Sequence, residues 1–332
     1  MFKRILVPLD GTPMAESILP DANRLAGVGG RLILVRDVLL SYFEYGTVDY
    51  EVADAKRMVK TYLEALAEPL RAAGMEVETC TLEMQSTPGA IQHAARVLGA
   101  DMIALATHGR TPLGRLIHGG TAWEALKDSE VPILYRHAEV ADKRDARTHC
   151  VHDVRLLLPK HRRIIVPLDG SRRAEGALPL AQKLALEWKA PLHLVRVARY
   201  PVTPTNLSWE PAEFAQEAQA YLDRLAGTLL GVVTTRALVG PVRHSLAEEV
   251  SEEAVTDVVM SSHGRTGMAR VLLGSVADAL IHELTCPIVI VPSSASGEGS
   301  RGRDQSLPDR VTAGLPNKIE NLIGKTKHEV LR

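Results

Sequence analysis

Short runs rich in Val, Ile and Leu recur along the chain, separated by longer stretches in which apolar residues return every three or four positions. A run of four to eight apolar residues suits a strand buried on both faces. The three-to-four spacing suits a helix with one apolar stripe. Strands are predicted at 4–8, 31–37, 75–83, 102–107 and 132–136, with helices over 13–27, 51–73, 88–99 and 120–129 between them. The alternation returns with strands at 163–168, 191–198, 232–239, 256–261 and 287–292. Five strands joined by helical crossovers give a doubly wound sheet. The expected fold class is therefore α/β, with two tandem domains, each a five-stranded parallel, Rossmann-like sheet flanked by helices. Ligands on such sheets sit beyond the carboxyl ends of the strands.

The pattern repeats because the sequence does. Residues 3–12, KRILVPLDGT, return as RRIIVPLDGS at 162–171, an offset of 159. Residues 106–121, ATHGRTPLGRLIHGGT, return as SSHGRTGMARVLLGSV at 261–276, an offset of 155 that differing loop lengths explain. Domain 1 is placed at 1–137, a linker at 138–160 and domain 2 at 161–293. Residues 294–332 begin with a stretch poor in apolar side chains, which cannot offset the entropy of ordering, and are expected to be a disordered tail.

Composition narrows the function. With 39 Lys and Arg against 40 Asp and Glu there is no bulk basic field to gather nucleic acid or anionic lipid. Neither a signal-peptide pattern nor an 18-residue uncharged apolar run is present, so no membrane role is expected. Cys80, Cys150 and Cys286 form no CxxC pair and no even-numbered disulfide framework, which points to a reducing, cytoplasmic setting. His137, His149, Cys150, His152 and His161 are donors of a type zinc accepts, but their spacing fits no closed site, and no metal is assigned.

The chemistry concentrates at two loops of the second half. Strand four ends at Met260 and Ser261, Gly264 follows, and nine residues later Gly274 and Ser275 open a helix. Glycines let backbone N–H groups converge on an anion and the helix N-terminus favours negative charge, so phosphate is the natural guest. A tight turn and a capped helix without ligand is the plainer account of the same residues. Asp169, directly after strand one in VPLDGS, is either a helix cap or an acceptor for an exocyclic amine or a ribose hydroxyl. Arg265 is a phosphate contact or a solvated surface charge. His108 and His263 are read as orienting their turns rather than as general bases.

With the duplicated VPLDG strand, this spacing resembles the universal stress protein family in tandem form, over about 1–136 and 160–292. The resemblance implies that Gly264, Gly274 and Ser275 cradle ATP phosphates, that Asp169 contacts adenine, and that Val197 lines the adenine pocket with Pro167, Leu168, Met260 and Val276 as walls. Two departures matter. Ser261 in the second half and Ala106 in the first replace the first glycine of the family pattern, and a Cβ there is expected to narrow the approach to the nucleotide, which Ser261→Gly would relieve. The first half has Gly119-Gly120-Thr121 instead of Gly-Ser, and Asp37 where the second has Val197. The second half is thus expected to hold the better site, and Asp10, Gly109 and Gly119 a weaker or vestigial one.

No GxxxxGK[ST] loop occurs, so fast phosphoryl transfer is not expected. The expected function is an ATP-binding stress-response sensor or regulator, not an enzyme beyond slow hydrolysis, binding ATP with or without magnesium and acting through a protein partner. The rival is a nucleotide-independent dimerisation or scaffold module. VPILYR and CPIVIV, the fifth strands, are expected to pair, either between copies in a homo-oligomer or within one chain as a pseudo-dimer.

Overall fold

The computed structural model describes residues 2–38, 52–82, 90–108, 129–138, 162–198, 211–252, 255–262 and 275–292. In the first half these form β1 (Arg4–Pro8), α1 (Pro13–Glu16), α2 (Leu19–Ala26), β2 (Arg31–Asp37), α3 (Val52–Ala72), β3 (Glu76–Leu82), α4 (Ala90–Val97), β4 (Met102–His108) and β5 (Ile133–Ala138). The second half repeats the order: β6 (Ile164–Leu168), α5 (Arg172–Glu175), α6 (Leu178–Trp188), β7 (Leu192–Ala198), α7 (Pro211–Ala226), β8 (Val233–Val239), α8 (Val242–Glu252), β9 (Asp257–Ser261), α9 (Ser275–Glu283) and β10 (Ile288–Val291). The linker, the tail and most of the helix expected at 120–129 lie outside the described residues.

One expectation changes in detail. The helix predicted over 13–27 is two helices, α1 and α2, parted at Ser17 and Ile18. Pro20 lies in the first turn of α2 and has no N–H to donate backward, so the helical ladder must restart just ahead of it. Pro179 does the same ahead of α6.

The ten strands make one sheet in the order β3-β2-β1-β4-β5-β10-β9-β6-β7-β8. Every neighbouring pair is parallel except β5 and β10, which run antiparallel with Leu134 opposite Val289 and Tyr135 opposite Ile288. Alternate residues feed two cores. Ile5, Val7, Leu32, Leu34, Leu134 and Val289 pack under α1, α2, α3, α5, α6 and α7. Leu6, Ile33, Val35, Ile133 and Ile288 pack under α4, α8 and α9. Each core includes residues from both halves, so the seam is apolar on both faces.

A buried ion pair also crosses it. Arg24 of α2 donates to both oxygens of Asp257 at the start of β9, at 2.5 and 2.7 Å, and to Asp21 at 3.3 Å. Arg136 of β5 also pairs with Asp21. The Arg24 guanidinium stacks 5.0 Å from the Trp188 ring centre, and Arg162 lies over the same ring at 4.7 Å. Burial pushes the Asp257 carboxyl up, and the Arg24 charge works against that rise.

Candidate functional site

In each half the strand order reverses between the first and fourth strands: β6 and β9 are paired neighbours whose following chain departs in opposite directions. The carboxyl ends of these strands form the switch point at which a doubly wound sheet takes its ligand. The second-half residues expected at the site surround this rim. Pro167 and Leu168 end β6, Met260 and Ser261 end β9, Val197 lies near the end of β7, and Ser275 and Val276 open α9. Gly264, Arg265 and Gly274 of the phosphate loop, and Gly109 and Gly119 of its first-half counterpart, lie outside the described residues.

Val197 and Val276 pack against the core beneath α8 and α9, and Met260 is buried in it. Together they provide an apolar wall on one face of the sheet. Leu168 belongs to the opposite core. Ser261 alternates with Met260 and so projects to that opposite face, as does Ala106, which packs there in the first half. The Ser261 hydroxyl is buried and has no hydrogen-bond partner among the described residues. The Cβ that replaces the family glycine therefore points away from the apolar wall.

Asp169 stands at the rim in a fixed turn. Its Oδ1 accepts from the Ser171 backbone N–H at 2.9 Å and from the Ser171 hydroxyl at 2.6 Å. Ser171 in turn caps α5, its Oγ accepting from the Ala174 N–H at 3.2 Å. Asp169 is therefore not itself the helix cap: Ser171 caps α5, and Asp169 fixes the turn that presents Ser171. Asp10 does the same in the first half, accepting from the Thr12 N–H at 2.8 Å and the Thr12 hydroxyl at 2.6 Å.

Four residues beside this turn were not singled out in the sequence. Gly170 has φ +85°, and a Cβ there would sit 3.1 Å from Cζ of Arg196. Arg196 lies 4.8 Å from the Tyr221 ring centre, and Tyr221 donates to Glu175 of α5 at 2.9 Å. The first half has the same set. Gly11 has φ +87°, Arg36 lies against it and 5.1 Å from the Tyr62 ring centre, and Tyr62 donates to Glu16 at 2.9 Å. Burial, reinforced by the neighbouring glutamate, pushes both tyrosine hydroxyls well above their ordinary range, so each remains a donor. The available signal was the repeat, since Glu16 and Tyr62 recur as Glu175 and Tyr221 at the 159 offset.

The register also fixes the difference between the pockets. Pro8 faces Val35 and Pro167 faces Val195, so Asp37 occupies the place of Val197. Where the second half has an apolar wall, the first has a half-buried carboxylate. A separate polar set, His193 bonded to Thr234 at 2.7 Å and to Glu249 at 2.8 Å with Arg236 beside it, ties the sheet edge to α8. Among the described residues no cluster of three or more His, Cys, Asp or Glu could hold a metal ion, and no helix is long and apolar enough to cross a membrane.

Comparison with known proteins agrees with this architecture. Residues 1–135 and 160–292 both match the universal stress protein family. The chain belongs to that family. A family member from Methanocaldococcus jannaschii is 30% identical over 140 residues, covering 40% of this chain and 82% of its own. A universal stress protein E homolog from Haemophilus influenzae is 24% identical over 329 residues, covering 88% and 98%. Among solved structures, a universal stress protein from Archaeoglobus fulgidus superposes with a TM-score of 0.60 at 17% identity, covering 87% of this chain and 96% of its own, a likeness of fold. Both matched segments contribute their fifth strand, β5 and β10, to one antiparallel pairing within the chain.

Proposed function

We propose that the protein binds an adenine nucleotide, ATP first among them, in the second-half crevice and acts as a stress-response sensor or regulator through a protein partner. The observation that supports this reading is a carboxylate, Asp169, held in a fixed turn directly after β6, at the β6/β9 switch point, with Val197, Met260 and Val276 packed on one face of the neighbouring strand ends and helix start. A purine needs that combination: an apolar surface for the ring and an acceptor for its exocyclic amine. The helix start at Ser275, with Gly264 and Gly274 before it in sequence, suits the phosphates. Those residues supply positioning but neither the P-loop lysine nor an identified base, which supports a binding role with slow hydrolysis at most. Magnesium would enter with the phosphates. The first-half crevice, with Asp37 on its wall, is read as the weaker of the two.

The scaffold alternative draws on the seam. β5 and β10 meet within the chain, so fifth-strand pairing is already satisfied as a pseudo-dimer, and assembly between copies would need another surface.

The test is mass spectrometry of nucleotide released from freshly purified protein, followed by calorimetric titration with ATP. Adenine nucleotide is expected, and Asp169→Ala is expected to weaken ATP binding about tenfold, the worth of one hydrogen bond to a charged group. No released nucleotide and no heat on titration would leave the scaffold reading standing. Because its side chain points to the other face, Ser261→Gly is expected to leave affinity within about threefold. A gain beyond that would restore the steric account of the missing glycine.

A further inference from the structure

The turn that presents each rim aspartate is closed by a ring of contacts made twice in the chain. In the second half it runs from Asp169 to Ser171, through α5 to Glu175, across to Tyr221, onto Arg196, and back to the backbone at Gly170. In the first half it runs through Asp10, Thr12, Glu16, Tyr62, Arg36 and Gly11. The two halves differ where ligand selectivity is expected to be set, with Asp37 against Val197 and Gly120 against Ser275, yet the ring is kept in both, its one change being Thr12 for Ser171, which keeps the hydroxyl. The ring lies behind the turn, on the side of the sheet covered by α3 and α7, opposite the apolar wall. None of its Arg, Tyr or Glu members needs to touch a ligand in the crevice.

We propose that Arg196, Tyr221 and Glu175, and their counterparts Arg36, Tyr62 and Glu16, are positioning residues that aim the Asp169 and Asp10 carboxylates at the base of a bound nucleotide and thereby set base selectivity. The inference rests on the nucleotide reading above. A glycine turn at positive φ is cheap to form but also cheap to deform. The stacked guanidinium removes that freedom by occupying the space a Cβ would fill, and the tyrosine holds both the guanidinium and the glutamate of the capped helix. The carboxylate is then preorganised rather than ordered on binding, which removes an entropic cost from association. An aimed carboxylate favours adenine, whose amine donates to it, over hypoxanthine, whose carbonyl oxygen at the same position repels it.

The experiment compares ATP and ITP binding by calorimetry in the full chain for the wild type, the combined Tyr62→Phe/Tyr221→Phe variant and Arg196→Met, with melting temperature recorded for each. The phenylalanines keep the stacked rings and delete only the bonds to Glu16 and Glu175, so that variant remains foldable if Arg196→Met is not. The double variant is expected to bind ATP about fivefold more weakly while ITP changes little, so the preference for adenine falls by the same factor. A role confined to stability would lower the melting temperature and leave the ATP-to-ITP ratio unchanged. A ratio within twofold of wild type, in a variant of a protein that binds ATP, overturns the proposal. If the wild type itself binds neither nucleotide, the failure appears before any variant is made, and it removes the nucleotide reading and this inference together.

Discussion

Asp257→Asn is expected to destabilise the protein by about 3 kcal/mol, because it removes the two short charged contacts of the buried Arg24 guanidinium and leaves only the longer one to Asp21 as its counter-charge. Asp257 is fully buried and Arg24 is 7% exposed, so water cannot take over the lost contacts. The asparagine amide can accept one bond where the carboxylate accepted two from Arg24. Arg24 would still stack on Trp188, a contact of about 1–2 kcal/mol that limits the loss without cancelling it. Equilibrium unfolding in denaturant should show the midpoint falling with little change in slope. The double replacement Arg24→Met/Asp257→Leu is expected to recover most of the loss, since the pair's attraction is largely offset by the cost of taking both charges out of water. A single variant within 1 kcal/mol of wild type would show that the ion pair is not buried as described.

Leu134→Ala is expected to cost about 2–5 kcal/mol, the range for removing a fully buried leucine from a core that cannot close around the void. Leu134 is 0% exposed and faces Val289, also 0% exposed, across the only antiparallel pairing among the described strands. Only three register pairs span the seam, so one cavity weakens a large part of it. Hydrogen exchange should localise the effect, with amides of β5 and β10 losing protection before those of β1 and β6. Uniform loss of protection across all ten strands would instead mean that the two halves open as one cooperative unit.

The strands were legible because they are buried on both faces and read as continuous apolar runs, which is why β1, β2 and their neighbours fall within a residue or two of the expected limits. The break between α1 and α2 was harder to see, since the apolar spacing continues through it and only Pro20 marks it. At the candidate site the motif led to Asp169, Met260 and Ser275, but it gave no side-chain direction. Ser261 was read as narrowing the approach to the nucleotide, and strand alternation adds that its side chain lies on the face opposite Met260. Arg24 and Asp257 escaped altogether. They lie 233 residues apart, and the equivalent repeat positions hold Lys183 and Met102, so neither local pattern nor internal symmetry pointed to them. The Arg196–Tyr221–Glu175 ring is of the same kind: its members come from three elements, and each alone looks like an ordinary surface or core residue.

The antiparallel seam has a consequence for how the molecule can be approached. Because β5 and β10 run in opposite directions while all other neighbours are parallel, the carboxyl ends of the first five strands and of the last five point to opposite edges of the sheet. The crevice beside Asp10 and the crevice beside Asp169 therefore open back to back. A single flat surface can cover one of them and not the other, so two binding partners, or one that wraps around the sheet, are needed to occupy both. The chain has the geometry of a coupling with one socket at each end.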